Sequence, residues 1–251
     1  MGNRTMIIGS EIIFLNNVVS TNITAADYIR SGVTREGMVI RAGFQSAGKG
    51  QQGNRWESED GKNLLFSIIL FPSILEATEQ FLLCEFISLG ICDYLKTIIS
   101  GCKIKWPNDI YARDDKIAGI LIENSISGNA ITSSVAGIGL NINQEFFPEW
   151  IPNPVSLKMI TGIEYDIDLC LQGLLKCLDT RYKKLITGEW DQIRDDYVAL
   201  LYRFGEWHDY RTAEGIISGR IVAVSESGCL RIENRAGKAR EFAFKEIGFI
   251  I

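Results

Sequence analysis

The residue types that build many familiar active sites are scarce in this sequence of 251 residues. It contains one histidine, His208, which excludes a metal site with two histidine ligands and leaves a Ser-His-Asp or Cys-His device with a single candidate base. His208 lies far along the chain from the polar motifs described below, near an expected domain boundary. We therefore expect it to be a surface or interface residue rather than a catalytic one.

The chain also lacks an excess of positive charge and a long apolar run. Its 26 basic and 31 acidic residues give a formal net charge of -5, so the broad basic face that duplex DNA requires is not expected. No apolar run reaches the roughly 18 uncharged residues that suggest a membrane span. The first residues have neither the apolar segment nor the cleavage site of a signal peptide. We expect a cytoplasmic protein with no DNA or membrane partner.

None of the six cysteines forms a Cys-x-x-Cys pair, which is the usual spacing of zinc and redox sites. They are Cys84, Cys92, Cys102, Cys170, Cys177 and Cys229. Most have apolar sequence neighbours, so they are expected to be reduced core residues.

The apolar pattern predicts a mixture of strands and helices. Strands are predicted at 11–19, 37–43, 63–72, 103–106 and 130–143, with a hairpin at 108–122. Helices are predicted from Thr21 or Asn22 to Gly32 and at 75–100, 167–187 and 189–202. After residue 204, short strands separated by the turns "SESG" and "NRAGK" predict a small barrel-like β module. The expected division is into residues 1–204 and 205–251.

The segment "AGKGQQGNRW" (47–56) follows neither the strand nor the helix period, so regular structure is not expected there. Its glycines 48, 50 and 53 allow backbone N–H groups to turn toward an oxyanion, and Lys49 and Arg55 add charge. It is neither a P-loop nor a dinucleotide fingerprint, because no Gly-Lys-Ser/Thr ends it and a strand follows it. From these residues alone, a flexible surface hairpin and an anion-binding loop are equally compatible.

Two further segments have both a structural and a functional interpretation. In "KWPND" (105–109), Pro107 holds the chain extended, so Lys105 at the strand end can be aimed at a developing negative charge. The alternative is a solvated Lys105 beside a core Trp106. "STN" (20–22) is most often a helix cap, but it also offers hydroxyl groups and a helix N-terminus to a polar ligand.

Together these segments resemble the motifs of the biotin protein ligases, in order along nearly all of residues 10–251. The matching segments are "STN" (20–22), "FQSAGKGQQGNRWES" (44–58), "KWPND" (105–109), "KIAGILIE" (116–123) and "GIGLNIN" (137–143). The resemblance implies an α+β fold like that of class II aminoacyl-tRNA synthetases. In it, a mixed sheet with helices packed on one face precedes a C-terminal SH3-like β-barrel.

The resemblance also implies a reaction in two steps. Biotin and MgATP form biotinyl-5′-AMP, and one lysine of a biotin carboxyl-carrier protein, for example that of acetyl-CoA carboxylase, then receives the biotin. MgATP and biotin are substrates; no tightly bound cofactor and no resident metal are expected. Only about 19 residues precede Ser20, so the type without an N-terminal DNA-binding domain is expected. A homodimer formed by sheet edges is compatible with the resemblance, and the sequence does not decide it.

The resemblance assigns roles to individual positions. Lys105 and Lys49 are implied as the catalytic cations. The implied biotin contacts are Ser20, Thr21, Asn22, Gln45, Gly48, Lys49, Gly50, Gln51, Lys105 and Gly119. The implied ATP and adenylate contacts are Gln51, Asn54, Arg55, Trp56, Asn108, Lys116, Gly139 and Asn141.

The glycine-rich loop departs from the family pattern Gly-Arg-Gly-Arg-x-Gly-Arg-x-Trp. Three of its arginines are replaced by Lys49, Gln51 and Asn54. Lysine lacks the bidentate fork of arginine, and the two amides lack its charge. We therefore expect weaker retention of the adenylate, partly offset by Arg55.

Two other functions remain open at this point. A lipoate or octanoyl transferase has a related fold, although such enzymes typically have a shorter Lys-x-Asn-Asp motif. A biotin-binding regulator or an interaction module built on the terminal β segment is the third possibility.

Overall fold

A seven-stranded mixed sheet forms the centre of the protein. The computed structural model describes residues 6–51 and 53–250, so Gln52 of the glycine-rich loop lies outside the described residues. The strands are β1 (Ile12–Val18), β2 (Val39–Gln45), β3 (Leu64–Leu70), β4 (Cys102–Lys105), β5 (Asp109–Ala112), β6 (Asp115–Ser127) and β7 (Ala130–Leu140). Their order is β1-β2-β3-β7-β6-β5-β4. Only the β1–β2 pair is parallel among these neighbours.

Within residues 6–51 and 53–250, five α-helices accompany this sheet: α1 (Thr21–Ser31), α2 (Phe81–Leu95), α3 (Leu157–Thr161), α4 (Ile167–Ile186) and α5 (Trp190–Ala199). Helix α2 is buried on nearly every side because its residues are almost all apolar. It packs against α4 and α5 and against the β4–β6 part of the sheet. Helix α4 begins where the side chain of Asp166 accepts hydrogen bonds from the backbone N–H groups of Asp168 and Leu169.

Helix α1 lies on the opposite face of the sheet from the long helices. Ile68 of β3 belongs to the main core with α2 and α4, whereas its neighbour Ile69 packs with Ala25 of α1 in a smaller core. Consecutive residues of a strand point to opposite faces, so the two cores lie on the two sides of the sheet. The prediction of helices on one face is therefore correct for α2, α4 and α5 and wrong for α1.

The C-terminal part forms a separate five-stranded antiparallel sheet, in agreement with the short strands predicted after residue 204. Its strands are β8 (Trp207–Thr212), β9 (Gly215–Val224), β10 (Leu230–Glu233), β11 (Ala239–Phe242) and β12 (Ile247–Phe249). They pair in the order β11-β10-β9-β8-β12, so β11 and β12 are the two edges and the pairing does not close the sheet. The segment after β4 contacts the turn between β9 and β10, where the Trp106 Nε1–H group donates to the Gly228 carbonyl at 2.8 Å.

Several elements differ from the sequence predictions. The helix predicted at 75–100 begins only at Phe81, after a 3-10 turn at Ala77–Glu79, and ends at Leu95. The strand predicted at 130–143 ends at Leu140, because the next residues turn to bond neighbouring loops. Helix α3 was not predicted, because it is short and follows a proline-rich segment that suggests a loop. At its start, Ser156 Oγ accepts a hydrogen bond from Met159 N.

The cysteines and the single histidine, which were not expected to act in catalysis, lie in the environments that the sequence predicts. All six cysteines are free thiols, and four of them are buried. His208 lies on β8 with its Nε2 atom 3.0 Å from Glu206 Oε2. Within the part of the chain that the structure describes, no helix combines the length and apolarity needed to cross a membrane.

Candidate active site

A cavity of about 620 Å³ opens between the large sheet, the glycine-rich loop and the edge of the C-terminal sheet. Most of the residues that the motifs pointed to line it, although they come from distant parts of the chain. They are Ser20, Thr21, Asn22, Gln45, Lys49, Gly50, Gln51, Asn54, Arg55, Trp56, Lys105, Asn108, Lys116, Gly119 and Gly139. The structure therefore brings the five motif segments to one place.

The start of α1 forms one wall through a network of short polar contacts. Thr21 donates from its backbone N and its Oγ1 to Gln45 Oε1, at 2.7 and 3.1 Å. The buried Ser67 Oγ lies 2.7 Å from Thr21 Oγ1 and 2.6 Å from Asn22 Oδ1. Ser20 occupies the N-cap position, but its side chain makes no capping bond. The "STN" segment thus starts the helix, and its residues also line the cavity.

The glycine-rich loop folds as a short hairpin over the cavity. Trp56 N donates to Gly48 O at 2.9 Å, Gly50 N donates to Asn54 O at 3.1 Å, and Lys49 and Arg55 pair as an antiparallel bridge. Among the residues described between Gln45 and Leu64, no strand or helix is assigned, in agreement with the absence of a regular period in the sequence. The hairpin that the sequence offers as one of two alternatives therefore lines the cavity.

Trp56 packs flat against two glycines that face each other on β6 and β7. Gly119 and Gly139 are paired in register. A Cβ atom at Gly119 would lie 2.9 Å from Trp56 Cζ3, and one at Gly139 would lie 2.3 Å from Trp56 Cε2. Any side chain at either position would push the indole away, which explains why both positions need glycine. The Trp56 Nε1–H group is buried and has no hydrogen-bond partner among the described residues.

Lys105 lies at the end of β4 and reaches into the cavity. Its Nζ atom donates to the Tyr111 hydroxyl at 3.0 Å and lies 5.3 Å from the centre of the Phe249 ring. Burial lowers the pKa of Lys105, and the Asp109 carboxylate acts in the opposite direction. A half-buried cation of this kind has lost part of its hydration and gains strongly from an anionic ligand.

The cavity wall is much more positive than the protein as a whole. Its cationic side chains are Lys49, Arg55, Lys105, Lys116, Arg211 and Lys245, against the two carboxylates Asp109 and Glu246. Lys116 Nζ lies 2.7 Å from Asp109 Oδ1, so these two charges offset each other. A cationic wall in a chain of net charge -5 concentrates anionic ligands at this one place.

Two of the predicted site residues do not line the cavity. Gly48 lets the hairpin close, since a Cβ atom there would lie 2.3 Å from the Trp56 carbonyl oxygen. Asn141 is buried behind the wall, where its Nδ2 donates to Val155 O at 3.0 Å. Within the described residues, no group of three or more His, Cys, Asp and Glu side chains is arranged to hold a metal ion.

Sequence reasoning missed several residues that line the cavity or support its wall from behind. Glu123 accepts from Asn22 Nδ2 at 2.7 Å and from Lys49 Nζ at 3.1 Å, so it ties α1 to the loop. The strand period could have identified it, because Gly119, residue 121 and Glu123 share one face of β6. Arg211 and Phe249 come from the C-terminal sheet, and no local pattern connects them with the motifs.

Comparison with known proteins agrees with this geometry. Residues 15–141, about half of the chain, match the sequence model of the "Biotin/lipoate A/B protein ligase family". The bifunctional ligase/repressor BirA of Bacillus subtilis is 29% identical over 244 residues, covering 94% of this chain and 73% of that protein. The biotin–[acetyl-CoA-carboxylase] ligase of Paracoccus denitrificans is 28% identical over 229 residues, covering 87% of this chain and 92% of that protein.

Among solved structures, the biotin protein ligase of Aquifex aeolicus in complex with biotin and ATP superposes with a TM-score of 0.78. It is 28% identical and covers 96% of this chain and 98% of its own. The fold, the cavity and the sequence matches therefore agree, and this chain belongs to the biotin/lipoate A/B protein ligase family.

Proposed function

We propose that this cavity joins biotin to AMP and then transfers the biotin to one lysine of a biotin carboxyl-carrier protein. The chain is a ligase enzyme of the biotin protein ligase type, with biotin and ATP as its substrates. The observation that carries the proposal is the convergence of Lys105, the glycine-rich loop and the start of α1 on one cation-lined cavity.

In the first step, an oxygen of the biotin carboxylate attacks the α-phosphorus of ATP, and pyrophosphate leaves with its magnesium ion. Both reactants are anions, so they repel each other in water. In this proposal Lys105 and Lys49 offset that repulsion, and Lys105 acts at the junction between the carboxylate and the phosphoryl group; both lysines line the cavity, which supports these roles. The polar network of Thr21, Asn22 and Gln45 is suited to the neutral ureido ring of biotin, because it offers both donors and acceptors.

In the second step, the neutral ε-amine of the acceptor lysine attacks the carbonyl carbon of biotinyl-5′-AMP. An amide bond forms, the acyl–phosphate bond breaks, AMP leaves and the amine loses a proton. The hairpin over the cavity shields the mixed anhydride from water in the meantime.

We propose individual roles on this basis. The biotin side consists of Ser20, Thr21, Asn22, Gln45, Lys49, Gly50, Gln51, Lys105 and Gly119, with Gly48 supporting it by letting the hairpin close. The adenylate side consists of Gln51, Asn54, Arg55, Trp56, Asn108, Lys116 and Gly139, with Asn141 supporting it from behind the wall.

The organisation of the chain is proposed in the same way. Residues 1–204 form the catalytic domain and residues 205–251 an SH3-like module, a boundary supported by the start of the second sheet at Trp207. We place the protein in the cytoplasm because of its free thiols and its use of ATP. The net charge of -5 argues against DNA as a partner. A homodimer joined through sheet edges is compatible with the edge positions of β1 and β4.

The proposal is tested by incubating the chain with biotin, MgATP and a biotin carrier domain and following the mass of the carrier. Lys105→Ala should lose most of the activity, since nothing else on the described wall occupies its position at the strand end. Turnover of Lys105→Ala close to that of the wild type would remove Lys105 from its role. A parallel reaction with lipoic acid in place of biotin tests for lipoyl transfer, the alternative activity considered above.

A further inference from the structure

The Lys105 side chain is held by the neighbouring strand rather than by a charged partner. In the β4–β5 pair, Lys105 stands opposite Asp109, and Lys103 stands opposite Tyr111. Tyr111 is therefore the diagonal neighbour of Lys105 on the same face of the sheet, a distance that long side chains span. The Lys105 Nζ donates to the Tyr111 hydroxyl oxygen at 3.0 Å.

The carboxylate opposite Lys105 is already engaged. Asp109 Oδ1 lies 2.7 Å from Lys116 Nζ, and the hydrogen bond from Lys105 goes to the neutral Tyr111 oxygen instead. A carboxylate partner would neutralise the ammonium group, whereas a phenol holds it in place and leaves its charge available to an anion. Burial raises the pKa of Tyr111, so its hydroxyl stays neutral at physiological pH.

Aromatic rings restrict the remaining freedom of the ammonium group. Phe249 of β12 lies 5.3 Å from Lys105 Nζ. The centre of the Tyr202 ring lies 5.3 Å from that of Tyr111 and 6.3 Å from that of Phe249. The three rings therefore form one aromatic cluster beside the Lys105 side chain. A free lysine side chain has many rotamers, and a rigid surrounding removes that freedom before the substrate binds.

We infer that Tyr111 is a positioning residue for adenylation: its hydroxyl aims Lys105 at the junction between the biotin carboxylate and the α-phosphate. The inference rests on the proposed function, since it concerns the first step of that reaction. It goes beyond the motif, because "KWPND" ends two residues before Tyr111.

The test is Tyr111→Phe, which removes one oxygen and keeps the buried ring. Single-turnover formation of biotinyl-AMP should slow by about tenfold, the effect of losing one hydrogen bond to a charged group. The KM values for biotin and ATP should change by less than about threefold, because the lost contact orients Lys105 and does not touch either substrate. Tyr202→Phe is the matched control: its hydroxyl bonds Asp114 at 2.6 Å and belongs to the same aromatic cluster. It should adenylate at the wild-type rate.

Two further readouts separate positioning from a general structural effect. The groups that face Lys105 are Tyr111, Asp109, Arg203 and the Phe249 ring. Loss of the phenol oxygen removes an acceptor that favours the charged amine, so the alkaline limb of the adenylation rate should move to lower pH. In a Lys105→Ala background, Tyr111→Phe should have no further effect on the rate.

A wild-type rate for Tyr111→Phe, or an undiminished tenfold loss in the Lys105→Ala background, would overturn the inference. Failure of the wild-type chain to form biotinyl-AMP at all would instead overturn the proposed function, so the two failures are distinguishable.

Discussion

Gly139 of β7 lies directly beneath the indole ring of Trp56, so close that a Cβ atom at this position would lie 2.3 Å from Trp56 Cε2. The contact joins the glycine-rich loop to the centre of the large sheet across more than eighty residues of sequence. It shows why the "GIGLNIN" and "GNRW" segments depend on each other: the flat glycine surface exists to receive a ring.

Gly139→Val should therefore displace Trp56 and open the hairpin. We expect the KM for ATP to rise at least tenfold and trypsin to cut more rapidly at Lys49 or Arg55, because the loop loses its anchor. The comparison that isolates the clash is Trp56→Ala with and without Gly139→Val. If the valine acts only through the indole, it should add little once the ring is gone; a further large loss of ATP affinity would contradict the explanation.

Gln51→Arg should slow the release of biotinyl-AMP. Gln51 lines the cavity, and its Oε1 atom is buried without a partner among the described residues. A guanidinium group there restores a cation and a bidentate donor, which should lengthen the lifetime of the bound adenylate by about tenfold. Gln172→Arg, at an exposed position on α4, is the matched control for added charge. An unchanged dissociation rate for Gln51→Arg would show that the amide loop already retains the adenylate fully.

Glu85 should make the folded state less stable as the pH rises. It lies in α2, only 4% exposed, and its Oε2 atom has no hydrogen-bond partner among the described residues. Desolvation raises its pKa from 4.5 to about 7, and Arg194 only partly opposes this. Between these two values the folded chain keeps a proton that the unfolded chain has lost. The stabilisation of the folded state that protonated Glu85 provides is therefore complete below pH 4.5, and it disappears as the pH rises to 7.

Glu85→Gln removes this dependence, so above pH 7 the variant should be more stable than the wild type by on the order of 2 kcal/mol. The difference should shrink toward acidic pH in urea denaturation curves. Glu226→Gln, in an exposed turn of the C-terminal sheet, should show no such trend. A pH-independent difference for Glu85→Gln would mean that Glu85 is ionised in the folded protein.

Arg181 should be a stability residue of the helical layer. From α4 it binds Asp93 of α2, with Nε 2.6 Å from Oδ2, and Asp196 of α5. Arg181→Ala leaves two half-buried carboxylates without their cation, which should lower the free energy of unfolding by about 2 kcal/mol; a fully buried pair would give more. Arg30→Ala, which breaks the exposed pair with Asp27, should have almost no effect in the same thermal denaturation experiment. Equal effects of the two variants would contradict the role of burial.

The sequence predicts the site better than it predicts the shape of the wall. Lys105, Trp56 and Thr21 belong to local motifs, and each reaches the cavity because its strand end, hairpin or helix start is determined by nearby glycines, prolines and apolar residues. Arg211 and Phe249 follow no motif. They reach the cavity only because the C-terminal sheet docks on the large one, and a contact between elements so far apart leaves no periodic signal.

The misplacement of α1 has a related cause. Its apolar residues predict a helix but do not reveal which face of the sheet it covers, since Ile68 and Ile69 of β3 are both fully buried. Asn141 and Asn143 illustrate the same limit in a motif: their side chains bond Val155 and Tyr165, so polarity within a motif does not by itself indicate a ligand contact.

The most direct test of the account is the two-stage reaction of the purified wild-type chain, followed by intact-mass analysis. Without an acceptor, the chain should release pyrophosphate and form biotinyl-AMP from biotin and MgATP. On addition of a biotin carrier domain, one lysine should gain one biotinyl group. No biotinyl-AMP and no transfer, or faster transfer from lipoic acid than from biotin in the parallel reaction, would contradict the account.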